Sequence, residues 1–263
     1  MSARWEDILG LPGAAYAGGR RVPKTVLTSR AMLTKHEQRT LDKMSRLEHF
    51  ATVAKGTAQV LPRVDEEYDI QSVIFLRCEM KGDSQAVAEV ARLLHGCFPN
   101  PTVILQEAGD GIAVSVALTR RSHAEHGATV VSEVDSTGLF DPEDKRFGPF
   151  LESLAFNRLP QDDLLSYVDT MASRVRLSQA IDALGFYPAC TSADRDSLLS
   201  LVAKYERQQA EVDALATERR GKDVTPNESA RLRMQMRQVE RQRTRTLAEI
   251  RRLCIMSDEG SGR

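Results

Sequence analysis

The chain has 263 residues, of which 41% are hydrophobic and 28% charged, and its formal net charge is −1. That length suits one large domain or two small ones, and the composition excludes disorder throughout. No apolar run approaches the roughly 20 residues that cross a bilayer, and Met1 to Gly10 lack the basic-then-apolar order of a secretion signal, so a cytoplasmic protein without membrane contact is expected. The four cysteines (Cys78, Cys97, Cys190 and Cys254) stand singly, which points to reduced, mostly buried thiols.

The Gly-rich stretch from Gly10 to Arg21 is expected to be mobile. Thr34-Lys35-His36-Glu37 then forms a capping box, and the three-residue steps Leu41, Met44 and Leu47 predict a helix to about Leu47. Extended chain follows at His49 to Lys55 and, after Gly56, at Thr57 to Leu61. Ile70 to Met80 predicts a central strand, with Ile74, Leu76, Cys78 and Met80 on one face and Val73, Phe75, Arg77 and Glu79 on the other. Ser84 is placed to cap a helix carrying Val87, Val90, Ala91 and Leu94, which Gly96 and Pro99 stop. A hairpin joins Thr102–Gln106 to Ile112–Leu118 through Ala108-Gly109-Asp110-Gly111, and Thr129–Val134 adds a strand.

Beyond Asp141 the pattern turns helical, with segments at Phe150–Phe156 and Asp162–Leu184, the second closed by Gly185. From Thr191, the spacing of Leu198, Leu201, Tyr205, Gln208, Val212 and Leu215 is that of a helix seam. After Arg220-Gly221-Lys222 a second capping box, Thr225-Pro226-Asn227-Glu228, restarts the helix, whose seam is Leu232, Met236, Val239, Arg243, Thr246, Ile250 and Leu253. Two such helices on a short loop predict an antiparallel, coiled-coil-like hairpin. Between Pro226 and Leu253 stand eight arginines against three glutamates, a surplus of five positive charges. Such asymmetry suggests an anionic partner or a protein docking site, with Arg233, Arg237, Arg241, Arg245 and Arg252 as the candidate contacts. The segment lacks aromatic residues for base stacking, which argues against single-strand recognition.

Catalytic signals are sparse. Glu79-Met80-Lys81 matches the E-x-K half of a metal-dependent nuclease site, in which a carboxylate holds a divalent ion and a lysine steadies the attacking water. The surrounding order of helix, three strands, helix and strand also resembles the core of the PD-(D/E)-x-K nucleases. A second carboxylate is not evident: Asp69 lies about 33 Å away along an extended strand at roughly 3.3 Å per residue, so only Glu48, in a favourable register, qualifies. His123 and His126 are spaced as in a metal loop but sit in a polar connector without a third ligand. No phosphate-binding glycine motif and no nucleophilic triad are present, and no cofactor is called for.

Several stretches together carry a resemblance: Val22-Pro23-Lys24, Tyr68 to Val73, Phe98 to Leu105, Ala113 to Arg121, Phe150 to Ala155, and the charged terminal hairpin. By these the chain resembles the bacterial family catalogued as domain of unknown function 4391. The resemblance implies a place in defence gene clusters beside helicases, methyltransferases or nuclease subunits of restriction-like systems, and it brings no catalytic residues. The expected architecture is α+β: a mixed-sheet α/β domain (1–140), a helical segment packed on it (141–190), a basic hairpin (191–256) and a disordered tail (257–263). The expected role is a non-catalytic accessory subunit of an anti-phage system. It would dock a larger partner through the hairpin, contact DNA or form a homo-oligomer. The alternatives are a nuclease using Glu79 and Lys81, and DNA binding by the arginine-rich helix.

Overall fold

The computed structural model describes residues 4–30, 33–82, 84–122, 129–191, 193–221 and 225–260. In chain order its elements are α1 (Trp5–Leu9), β1 (Tyr16–Arg21), α2 (Lys24–Arg30), α3 (Lys35–Asp42), β2 (Met44–Val53), α4 (Lys55–Ala58), β3 (Arg63–Val64), β4 (Asp69–Ile70) and β5 (Val73–Met80). Then follow α5 (Val87–Gly96), β6 (Thr102–Ala108), β7 (Gly111–Arg121), β8 (Thr129–Ser136), α6 (Gly148–Ser153), α7 (Leu164–Ser178), α8 (Ile181–Leu184), α9 (Arg195–Arg219) and α10 (Pro226–Gly260). The class is α+β. A six-stranded mixed sheet has the order β1-β2-β5-β6-β7-β8, in which only β5 and β6 run parallel, and β3 pairs with β4 in a small separate ribbon. The parallel pair is joined through α5, the crossover that parallel strands require.

Four local expectations are corrected. The capping box at Thr34 forms, with the Glu37 N–H donating to Thr34 Oγ1 and the Thr34 N–H to the Glu37 carboxylate. The helix it starts nevertheless ends at Asp42, and Met44 and Leu47 lie in β2. The register of β2 against β5 slips between Met44 and Arg46 and again between His49 and Ala51. Each slip inserts a residue into the alternation, so Met44, Leu47 and Phe50 are all buried at three-residue steps that imitate a helix. Thr57, expected to be extended, lies in α4 instead, where the N-cap residue Ala54 donates its N–H to Thr57 Oγ1. The Gly-rich stretch, expected to be mobile, is a 3-10 turn (Gly13–Ala15) leading into the edge strand β1. Tyr16 faces Ala51 and Arg20 faces His49, so β1 carries surplus residues that Gly18 and Gly19 absorb at φ of 65° and 70°. Finally, α5 begins after a 3-10 turn (Ser84–Ala86), and its N-cap is Ala86, not Ser84.

The chain divides into two compact units, 1–179 and 180–263. In the first, both faces of the sheet are covered. One carries Leu76, Cys78, Met80, Ile104 and Ala113 against Leu27 of α2, Leu41 of α3 and Val87, Val90 and Leu94 of α5. Across the other lie α7 and α6, with buried Phe150, Leu154, Tyr167, Val168 and Met171, and Trp5 of α1. Helix α7 starts where the Asp163 carboxylate accepts the Ser166 N–H. It stops at Ser178, and Gly185 caps the short α8 instead of one long helix, so the helical segment of the sequence divides at 179/180. An ion pair fixes α7 to β8: Arg176 donates to both carboxylate oxygens of Asp135, at 2.8 and 3.0 Å, and also contacts Glu133. Burial pushes the Asp135 carboxyl up in pKa, against the pull of Arg176. The Asp135 side chain is only 8% exposed, so without its guanidinium it would be a buried charge. Arg176→Ala is therefore expected to lower stability by about 2–3 kcal/mol, a figure reduced for the partial exposure of the arginine, with Asp135→Asn in the same background restoring part of it. Urea unfolding of the three proteins measures this, and an unmoved midpoint in the single variant refutes it.

In the second unit α9 and α10 pack side by side on a connection of a few residues, and so run antiparallel. At about 1.5 Å per residue they span roughly 37 and 52 Å. α10 continues to Gly260, past the end expected at 256. Among the described residues, no helix is long and apolar enough to cross a membrane.

Candidate functional site

Glu79 lies on β5 opposite Arg46 of β2 and beside Glu107 of β6. Glu48, the one carboxylate that the sequence left open as its partner, pairs across the ladder with Arg77 and so shares that sheet face, one step of the pleat away. The neighbouring acids are engaged within the chain. Glu48 is held by Arg46, while Glu107 receives the Arg77 Nε at 2.8 Å, the Arg77 Nη2 at 3.2 Å and the indole N–H of Trp5 at 3.0 Å. The Glu107 hydrogen bond raises the pKa of the Arg77 guanidinium above its usual value. Lys81 follows the strand end, exposed, with its backbone N–H on the Lys43 carbonyl at 2.8 Å. Among the described residues, no group of three His, Cys, Asp or Glu side chains is arranged to hold a metal ion. His123 and His126 lie outside the described residues.

The buried polar group that sequence reasoning missed is His95 of α5, 1% exposed. Its Nε2 meets Ser115 Oγ of β7 at 2.9 Å and its Nδ1 meets Thr102 Oγ1 of β6. Burial depresses its pKa to about 3, so the ring is neutral, with one nitrogen donating and the other accepting. No spacing in the sequence announces it, since the partners come from two other elements. Cys78 and Cys97 are buried free thiols, and burial pushes the Cys78 thiol up to about 12.

On the hairpin, Leu198, Val202, Tyr205, Gln208 and Val212 of α9 are buried with Leu232, Val239, Thr246 and Ile250 of α10. The seam is polar at its middle, where Arg243 donates to Gln209 and where, among the described residues, the buried Gln208 Oε1 has no hydrogen-bond partner. Arg233, Arg237, Arg241, Arg245 and Arg252 are all exposed. A four-residue step advances about 40° around a helix, so the first four form one slowly winding stripe, on the side of α10 away from Leu232, Val239 and Thr246. Among the described residues, none of these five arginines makes an ion pair.

A cleft of about 380 Å³ opens at the β1 edge of the sheet, on the α2 and α5 side. Arg20, Arg21, Val22, Pro23 and Val26 line it from β1 and the start of α2. His49 and Thr52 come from β2, Ser72, Ile74 and Leu76 from around β5, and Phe98, Pro99 and Asn100 from the turn after α5. A ring nitrogen of His49 (Nε2) and Thr52 Oγ1 share a hydrogen bond of 2.7 Å, and Asn100 Nδ2 donates to Ser72 Oγ at 3.2 Å. Arg20 stands directly across the ladder from His49. Among the described residues, no carboxylate lines the cleft. Val22-Pro23, Ser72 and Phe98-Pro99-Asn100 belong to three of the stretches that carried the family resemblance, and the fold brings them together here.

A mixed sheet covered on both faces and a helical hairpin define an α+β protein. The chain belongs to the family described as Domain of unknown function (DUF4391), which matches residues 9–242. No curated protein and no solved structure matches it.

Proposed function

We propose that this protein is a non-catalytic accessory subunit of a bacterial anti-phage or restriction-like system, and that its hairpin docks an acidic surface of a larger helicase, methyltransferase or nuclease subunit. The arginine stripe supports this: exposed guanidinium groups that make no ion pair among the described residues, on the side of α10 away from Leu232, Val239 and Thr246. Arginine suits such a contact because its planar fork makes bidentate bonds to carboxylates at little ordering cost. The defence setting rests on the family resemblance alone.

Co-expression with the products of the flanking genes tests the proposal. The variant Arg237→Glu/Arg241→Glu/Arg245→Glu is expected to lose co-purification, with affinity falling by more than about tenfold, because like charges then face the partner's acids. Retention at full strength refutes it. DNA is the competing partner, and duplex binding measured across a salt series separates the two. A salt slope that flattens in Arg237→Ala/Arg241→Ala/Arg245→Ala, with no protein partner captured, would replace the docking role by phosphate binding.

A further inference from the structure

We propose that the cleft at the β1 edge binds a nucleoside phosphate, a function separate from that of the hairpin. Four observations meet there. The volume of about 380 Å³ lies at the small end of the range for ligand sites, roughly 300–1,000 Å³, and so suits one nucleotide rather than a dinucleotide. Arg20, across the ladder from His49, is exposed at the strand edge and, among the described residues, makes no ion pair; Arg21, also exposed, stands across from Glu48, which Arg46 already holds, and no carboxylate lines the cleft itself. The lining thus carries positive charge and no carboxylate, which suits a phosphate.

The third observation is the apolar lining. Half-buried Phe98, with Pro23, Pro99 and Ile74, provides flat and rigid surface suited to a planar ring. The fourth is unused hydrogen-bonding capacity. Asn100 spends one N–H on Ser72 and keeps a second N–H and its carbonyl oxygen, and His49 spends one ring nitrogen on Thr52 and keeps the other. An amide and an imidazole beside an aromatic face can read the edge of a base while the arginines hold the phosphate. A glycine-rich loop is dispensable here, because guanidinium forks replace the backbone N–H groups that such a loop supplies. The same chemistry is presented by a free mononucleotide and by the phosphorylated terminal nucleotide of a strand.

Calorimetric titration of the full chain with AMP, GMP, CMP and UMP, and with adenosine and inorganic phosphate as part-ligands, tests the site. At least one mononucleotide is expected to bind saturably and more tightly than either part. Arg20→Ala/Arg21→Ala should weaken it by about tenfold or more, and Phe98→Leu should weaken nucleotide more than phosphate. These positions are exposed or half-buried, and thermal melting confirms that each variant is folded. The source is decided by a short single strand with a 5′-phosphate or a 5′-hydroxyl: tighter binding of the phosphorylated strand than of the mononucleotide, lost in the same variants, assigns a strand end, and the reverse assigns the free nucleotide. Absence of mononucleotide and strand binding at millimolar concentration, binding unchanged in the double arginine variant, or phosphate alone binding as well as nucleotides would each overturn the proposal. The hairpin variant Arg237→Glu/Arg241→Glu/Arg245→Glu should bind as the natural protein does. A loss there would move the site to the hairpin and overturn the assignment to the cleft.

Discussion

Trp5→Ala is expected to lower the stability of this protein by roughly 4 kcal/mol, as truncation of a wholly buried aromatic ring does. Trp5 is 0% exposed, although it sits in a five-residue helix near the start of the chain and before residue 9, where the family match begins. Its indole N–H is also one of the donors that hold Glu107 in place beside Arg77. Trp5→Phe retains most of the packing but removes that donor, so about 1–2 kcal/mol should be lost. Urea unfolding followed by circular dichroism measures both. A midpoint unchanged in Trp5→Ala would mean that α1 contributes nothing to the core.

The second large effect is a response to acid. His95 has a folded-state pKa of about 3 against an ordinary value near 6.5, because a charged imidazolium would have to be buried under α5. The unfolded chain therefore binds the proton first. Stability from this group is complete above about pH 6.5 and falls by about 1.4 kcal/mol per unit as the pH drops through the window toward 3. Between pH 6.5 and 4.5 that is a loss of roughly 2 kcal/mol from one side chain. Half-buried carboxylates with lowered pKa, such as Glu37 and Glu89, also make the protein acid-sensitive, so the comparison must be with a variant. His95→Gln, which keeps hydrogen-bonding groups for Thr102 and Ser115, should show a shallower decline over the same window. Parallel slopes for the two proteins would refute the assignment.

What the sequence made legible was the part governed by short-range rules. The central strand, the Gly109-Asp110 hairpin and both capping boxes follow from alternation, turn chemistry and reciprocal hydrogen bonds, each confined to a few residues. Gly109, at φ 60°, shows why that turn needs glycine. Strand β2 was misread because two register slips turned its burial pattern into a three-residue rhythm, and β1 because its paired glycines look like linker until the partner strand is known. The candidate sites were less legible. The hairpin arginines announce themselves by composition and are found exposed, whereas the cleft draws on four separated segments that only the sheet order brings together. For Glu79, the register did place Glu48 on the same face. The sequence could not show that Arg46 and Arg77 would already occupy Glu48 and Glu107.

Trp5 is the single tryptophan in the chain, and it lies in the unit that holds the sheet, while the hairpin unit from Ala180 onward has none. Its intrinsic emission is consequently a natural optical reporter of the sheet alone, without any label. Far-ultraviolet ellipticity, in contrast, is weighted toward the long helices α9 and α10. Recorded in one denaturation experiment, the two signals reveal whether the halves of the molecule melt as one cooperative block or as two.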